Sequence, residues 1–307
     1  MSIVEKLRDG LKYWEPRLVQ GMGPPENGLD EFYVSVPLPD GYKAPIKVVR
    51  PKDNQSTSQR PLIVLFHGGG FMAGSAEMVT RPARDFAERF GAVVVGATYR
   101  LAPEHKFPTQ FQDAWDTLIW LSTAGLETLG AHPERGFIVG GVSAGGTLAA
   151  AIEQQSVDRN LIPPLTGAYI CIPMLLTDEI VPQKYRDQWT SRKDNADDPA
   201  ATKELLEQTM VSFDPDVKSP LFSPFSAPNP HKGLPPVYIQ VGGRDPLRDD
   251  GLLYEKALKD NGVRTRLDNY AEIGHSAWTI FSDGSSPKEL APNSMRAMEW
   301  LLGNGLK

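Results

Sequence analysis

The run Gly140-Gly141-Val142-Ser143-Ala144-Gly145-Gly146 follows the apolar stretch Gly136-Phe137-Ile138-Val139 and leads into Thr147-Leu148-Ala149-Ala150-Ala151. That order of residues is a strand, a sharp turn and the start of a helix, so the chain must contain a β–turn–α unit with very little room at the turn. Gly141-x-Ser143-x-Gly145 has the spacing of a nucleophile elbow. A serine exposed at the tip of so tight a turn needs strained backbone angles, and its close neighbours must lack side chains, so glycine flanks it on both sides. The helix that follows aims its free N–H groups at the same point, which suits a developing negative charge. Two rival glycine-rich turns do not fit. A phosphate loop needs lysine where Thr147 stands, and a dinucleotide fingerprint needs glycine at Ser143 itself.

The rest of the composition sets the frame for that unit. At 307 residues, 40% hydrophobic and 23% charged, the chain is globular and long enough for one large α/β domain or two small ones. Its formal net charge of −6, with no basic block, argues against a nucleic-acid partner and against electrostatic docking to an anionic membrane. The one cysteine, Cys171, lies in the apolar run Gly167-Ala168-Tyr169-Ile170-Cys171-Ile172, where it reads as a small core residue and leaves no intramolecular disulfide to form. Residues 1–8 mix acidic and basic side chains where a signal peptide needs a continuous apolar core, and no stretch reaches transmembrane length. The expected address is the cytosol.

Ile3, Leu7, Leu11 and Trp14 share one helical face, which predicts an amphipathic helix over about residues 3–15, ended by the loop Gln20-Gly21-Met22-Gly23-Pro24-Pro25. Strand candidates follow at 31–38, 45–49, 62–66 and 92–99. Strands and helices then alternate: helices at 111–122, 145–155, 251–261 and 294–302, strands at 136–142, 169–174, 237–241 and 265–270. The central strands are continuous runs of Val, Ile, Leu and Phe, as in a sheet buried on both faces, with the first two strands an antiparallel start to an otherwise parallel sheet. This is one α/β domain. About sixty residues between Met174 and Val237 hold no convincing strand. So long an insertion in a compact domain predicts a helical lid over the carboxyl ends of the strands.

A serine nucleophile needs a base, an orienting acid and an oxyanion hole. The elbow predicts the chain order Ser, acid, His, each partner in a loop after a later strand. Of the five histidines only His231 and His275 come after Ser143. His231 precedes a strand, whereas His275 follows one, at the carboxyl end, and is assigned as the base. For the acid, Asp245 comes first after the strand 237–241, beside Pro246, while Asp249 and Asp250 read as caps of the next helix. Oxyanion donors are expected from the Ala144 amide and from His67-Gly68-Gly69-Gly70-Phe71, a glycine loop after the strand 62–66. His67 itself reads as a structural hydrogen-bonding residue.

These residues resemble the hormone-sensitive-lipase-like group of α/β-hydrolases. His67-Gly68-Gly69-Gly70-Phe71 matches the oxyanion signature of that group. Tyr99-Arg100-Leu101-Ala102-Pro103-Glu104, Phe107-Pro108, Asp113-Ala114, the elbow and Asp245-Pro246-Leu247-x-Asp249 also follow its pattern, in order from Leu62 to His275. The resemblance implies Gly69 and Gly70 as the loop's oxyanion donors. It implies carboxylesterase-type activity on a small-molecule ester with no metal or organic cofactor. The implied architecture is an α/β-hydrolase domain in two parts, 31–174 and 233–307, capped by N-terminal helices over 1–30 and a helical insertion over 175–232. Phe71, Phe222, Phe225 and Trp278 are the candidates for an apolar pocket, and a homodimer is left open. The chain departs from the group at three places: Val142 replaces an aspartate before the nucleophile, Ser276-Ala277-Trp278 replaces glycine and an aromatic after the histidine, and Asp250 replaces a glutamate. Those departures suggest a specialised relative, akin to hydrolases of natural-product pathways. Acyl transfer, lactone formation or carbon–carbon cleavage at the same triad is the alternative reaction. A non-catalytic small-molecule receptor is the alternative class, disfavoured because His275 is retained.

Overall fold

The computed structural model describes residues 2–26, 28–52, 59–275 and 288–304. In chain order its elements are α1 (Ile3–Met22), β1 (Leu29–Pro37), β2 (Lys43–Pro51), β3 (Leu62–Phe66), α2 (Thr80–Phe90), β4 (Val93–Ala97), α3 (Thr109–Leu121), α4 (Ala124–Leu129), β5 (Phe137–Val142), α5 (Ala144–Asp158), β6 (Gly167–Cys171), α6 (Ser191–Asp194), α7 (Lys203–Phe213), β7 (Val237–Gly242), α8 (Arg248–Asp260), β8 (Thr265–Tyr270) and α9 (Leu290–Asn304). The strands form one sheet in the order β1-β2-β4-β3-β5-β6-β7-β8. β1 and β2 pair antiparallel, β2 meets β4 antiparallel, and the remaining pairs are parallel.

Alternate residues of the central strands feed two apolar layers. Leu62, Val64 and Phe66 of β3 point to one side with Val93 and Val95, Phe137 and Val139, Val237 and Ile239. Ile63 and Leu65 point to the other with Val94, Ile138, Tyr169 and Tyr238. Helices α3, α5 and α8 cover the first face through Phe111, Leu118, Leu148, Ile152 and Leu258. Helices α2 and α9 cover the second through Ala83, Phe86, Met298 and Leu301. A strand sandwiched between helices on both faces has no polar side to show, which is why the sequence reads as unbroken apolar runs.

The strand order explains where a site can form. β3 leaves through α2 to β4 on one side, and the chain returns through α3 to β5 on the other side of β3. That reversal opens a crevice at the carboxyl ends of β3 and β5, the place where open α/β sheets hold ligands.

Several elements differ from expectation, the short unpredicted helix α4 among them. Helix α1 continues to Met22, through Pro16 and three residues into the predicted loop. Pro16 is exposed, so the carbonyl its ring leaves without a helical partner can turn to water. Helix α2 is not among the predicted elements. Its sequence, TRPARDFAERF, has Pro82 in the first turn and charges throughout, with only a narrow buried stripe of Ala83, Phe86 and Ala87. The segment 175–232 is less helical than expected. It has no strand, but its α-helices are α6 and α7 alone, joined by irregular chain and the 3₁₀ turns Gln183–Gln188 and Pro224–Ser226. No helix among the described residues is long and apolar enough to cross a membrane.

Candidate active site

Ser143 sits between β5 and α5 with φ 54° and ψ −121°, a region that costs a non-glycine residue about 1–3 kcal/mol. Its amide donates to the Cys171 carbonyl at 2.9 Å and its carbonyl accepts from the Thr147 amide at 2.9 Å, which hold the turn. The flanking glycines have a steric cause. A Cβ at Gly145 would run into the carbonyl oxygens of Phe66 and His67, and one at Gly141 into the backbone of Gly145. The elbow therefore lies directly against the end of β3, and only glycine lets the two segments approach.

Ser143 Oγ is 2.8 Å from His275 Nε2, and His275 Nδ1 is 2.8 Å from Asp245 Oδ2. The carboxylate can only accept, so Nδ1 carries the proton and Nε2 is left with a lone pair facing the serine hydroxyl. Asp245 is completely buried. Its other oxygen accepts from the Leu247 amide at 2.7 Å, and its carbonyl accepts from Asn195 Nδ2 at 2.9 Å. Burial works against the imidazolium form of His275, but the Asp245 charge and hydrogen bond, with a smaller contribution from Asp198, hold its pKa above the ordinary value. These three side chains come from the loops after β5, β7 and β8, and they meet as the Ser–acid–His order predicts.

The glycine loop lies against the elbow, where a Cβ at Gly68 would come 3.4 Å from Ser143 Cβ. Gly69 and Gly70 have φ of 112° and 60°, and the Gly69 carbonyl accepts from the amides of Met72 and Ala73 at 3.0 Å each. That tight turn leaves the Gly69 and Gly70 amides without a partner among the described residues, as is the Ala144 amide at the start of α5. His67 is 1% exposed, stacks on Tyr99 at 4.4 Å and lies 2.7 Å, through Nδ1, from the Gly68 carbonyl. Burial pushes its pKa down to about 4, so it stays neutral and braces the loop.

A cavity of about 130 Å³ opens over these groups. Ser143, His275, Gly69, Gly70 and Ala144 line its floor. Leu7 of α1, Met174, Ala200, Ala201, and Leu205, Leu206 and Thr209 of α7 supply much of the wall. Phe71 lines it as well, stacked on Phe213 with ring centroids 4.1 Å apart. Among the described residues no group of three or more His, Cys, Asp or Glu side chains is arranged to hold a metal ion.

The sequence profile of the α/β-hydrolase fold matches residues 63–279, well over half of the chain. The chain is an α/β-hydrolase of the hormone-sensitive-lipase-like group. It is 34% identical over 271 residues to an AB hydrolase superfamily protein of Schizosaccharomyces pombe, covering 88% of this chain and 79% of that one. It is 33% identical over 279 residues to the carboxylesterase NlhH of Mycobacterium tuberculosis, covering 87% and 82%. The crystal structure of vibralactone cyclase superposes with a TM-score of 0.91 at 28% identity, covering 100% of this chain and 91% of that one.

Several motif residues of this hydrolase hold the scaffold. Arg100 pairs with the buried carboxylate of Asp113, its Nη2 2.6 Å from Oδ1. Glu104 accepts both terminal nitrogens of Arg8, at 2.6 and 2.7 Å, while Arg8 Nε donates to the Met72 carbonyl at 2.8 Å. The N-terminal helix is thereby tied to the glycine loop. Val142, where the group has aspartate, packs into the second apolar layer. Cys171 is buried there too, and burial pushes its thiol pKa well up.

Other expectations need correction. Asp249 and Asp250 do not cap α8, whose first turn has no side-chain cap. They face the insertion instead. Asp249 Oδ2 accepts from the amides of Thr190 and Ser191, each at 2.7 Å. Asp250 accepts from the amides of Leu175 and Leu176, from Trp189 Nε1 and from Arg192. A carboxylate one helical turn from the acid loop is close enough to grip a passing chain, and buried amides there need an acceptor more than the helix start does. Phe222 and Phe225 do not line the cavity. Phe222 is fully buried in the first apolar layer, and Phe225 packs edge-on against His231 at 4.8 Å, because the chain turns away from the site after α7. Trp278, with Ser276 and Ala277, lies outside the described residues. Two residues beside the triad, Asn195 and Asp198, are not foreseen. Nothing in Asn195-Ala196-Asp197-Asp198-Pro199 distinguishes them from other polar residues of an irregular loop.

Proposed function

We propose that this hydrolase cleaves carboxylic esters of small, largely apolar substrates through an acyl-enzyme, with Ser143 as nucleophile. The observation that carries the reading is the unbroken contact from Ser143 Oγ through His275 to the buried Asp245. Ser143 Oγ attacks the ester carbonyl carbon as its proton passes to His275 Nε2, and Asp245 stabilises the imidazolium that forms. The carbonyl oxygen takes up negative charge between the amides of Gly69, Gly70 and Ala144, each such donor contributing about 3–4 kcal/mol to the transition state. The carbon–alkoxy bond then breaks, and His275 returns its proton to the leaving alcohol. Water enters, gives its proton to His275 and attacks the acyl carbon. The bond to Ser143 Oγ breaks, and His275 reprotonates the serine as the acid leaves.

The substrate class rests on the cavity. At about 130 Å³ it is smaller than the roughly 300–1,000 Å³ of pockets that take drug-sized ligands, and its walls are chiefly aliphatic. Short acyl groups fit that space. Residues 1–30 and 175–232 act together as a cap, since Leu7 of α1 and three residues of α7 wall the cavity. The carboxylesterase named among the relatives supports an ester as the substrate.

Ser143→Ala tests the reading. Hydrolysis of p-nitrophenyl butyrate should fall by about 10⁴-fold or more, and labelling by a fluorophosphonate should disappear. Retained turnover would refute the assignment. A second reading, transfer of the acyl group to a hydroxyl of the same substrate to close a lactone, draws on the structural likeness to vibralactone cyclase alone. Products from hydroxy-esters separate the two, hydrolysis giving the acid and cyclisation the ring.

A further inference from the structure

One carboxylate joins the cavity wall to the base. Asp198 lies in the insertion between α6 and α7 and is 6% exposed. Its Oδ1 accepts from the amides of Ala200 and Ala201, at 2.9 and 2.8 Å, and both of those residues line the cavity. Its Oδ2 accepts from the backbone amide of His275 at 2.9 Å. Gly274 makes this approach sterically possible, because a Cβ there would collide with Asp198 Oδ2. Asn195, three residues earlier, donates to the carbonyl of Asp245, so the same stretch of insertion holds both the acid loop and the base loop.

We infer that Asp198 is a positioning residue for the reaction, fixing the His275 backbone at the distance Ser143 requires and adding negative charge behind the imidazolium. The inference rests on the triad reading above and deepens it. A serine–histidine contact tolerates little displacement, and a shift of about 1 Å costs on the order of 100-fold in rate. The backbone amide of His275 has one strong acceptor, and that acceptor belongs to the segment that closes the substrate cavity. The position of the insertion thus sets the position of the base.

Among the described residues the charged groups that act most strongly on His275 are Asp245, from the loop after β7, and Asp198, from the insertion, which favour the imidazolium, and Arg192, also from the insertion, which opposes it. Removing the Asp198 charge therefore lets His275 lose its proton at lower pH. Asp198→Asn removes that charge and, with it, the acceptor of the His275 amide. The side-chain oxygen can still accept from Ala200 and Ala201, leaving an NH₂ group against the His275 amide, donor against donor.

The experiment measures kcat and KM for p-nitrophenyl butyrate from pH 5 to 9, together with the His275 imidazole titration by NMR. Asp198→Asn should lower kcat by about 10-fold with KM little changed. It should also move both the acid limb of kcat/KM and the NMR titration to lower pH. Gly274→Ala, which displaces the carboxylate without altering any charge, should lower kcat in the same direction and serves as the second variant if Asp198→Asn folds poorly. A rise in KM with kcat and both titrations unmoved would overturn the inference, leaving Asp198 as a wall residue only, and so would no change at all. Failure of the triad reading shows separately, as turnover that survives Ser143→Ala, and the NMR titration still reports on Asp198 in that event.

Discussion

The two sides of Ser143 are held in different ways. The donor side, the glycine loop after β3, is set mainly by the interior: Gly145 presses the elbow against the Phe66 and His67 carbonyls, and His67 stacks on Tyr99 beneath it. The acid–base side, after β7 and β8, is set largely by the insertion: Asn195 holds Asp245, Asp198 holds His275, and Asp249 and Asp250 grip the chain from Leu175 to Arg192. Backbone packing at strand ends gives a site that forms whenever the sheet forms. Polar tethers to a sequence-distant segment make the base geometry depend on how that segment docks. On the proposed mechanism, the half of the site that would stabilise charge is thus built into the core, while the half that would transfer protons responds to the insertion.

Asp250→Ala should break the contrast hardest. It leaves Trp189 Nε1 and two buried amides without their acceptor and Arg192 with only the Pro246 and Leu176 carbonyls, and removing one member of a buried pair costs about 3–5 kcal/mol. Chemical denaturation should show that loss, and KM should rise as the insertion loosens. An unchanged KM in a destabilised protein would show that the insertion does not depend on this grip. Gly145→Ala attacks the other side. Its Cβ meets backbone that cannot swing away, so stability should fall by about 3 kcal/mol, the upper end for overpacking, and kcat should fall with it. A stable, active Gly145→Ala protein would mean the donor side is softer than its packing implies.

The pH profile sharpens the same comparison. His275 must be neutral to accept the serine proton, and its pKa is raised, so the acid limb of kcat/KM should lie above about 6.5. A limb at or below that value would remove the argument for the flanking carboxylates. For stability the sign is reversed: the raised folded-state pKa adds stability at pH values below the unfolded value, and that contribution is lost as pH rises through the folded value. Arg8→Ala is the mildest test. Arg8 ties α1 to the glycine loop through Met72 and Ala102, but it is partly exposed and the loop has its own packing. A loss of about 1 kcal/mol in stability with kcat near normal is expected, read by thermal melting and steady-state rates. A large fall in kcat would show that the donor side also depends on its cover.

The elbow was legible because its rule is local: a strand, a strained serine and glycines that cannot be replaced all lie within a few residues. His275 was legible by elimination, and Asp245 by being first after its strand. Asp249 and Asp250 were misread, because a carboxylate at a helix start looks like a cap in sequence whether or not a second chain lies beside it. Asp198 was invisible for the complementary reason, since an acidic residue in an irregular loop has no pattern until its partner, 77 positions away, is in place. Phe222 and Phe225 show the limit for pockets. An aromatic residue marks burial, but which surface buries it depends on where the chain turns.

By itself the sequence determined the sheet, the turn that exposes Ser143, and the loops that supply its partners, because apolar periodicity, glycine sterics and strand-end position are properties of short stretches of chain. The folded chain alone reveals which carboxylates lie against His275 and which hold the insertion, and which apolar side chains face the cavity. Those roles depend on charge and contact between segments far apart in the chain, and such contacts exist only once the insertion has closed over the sheet.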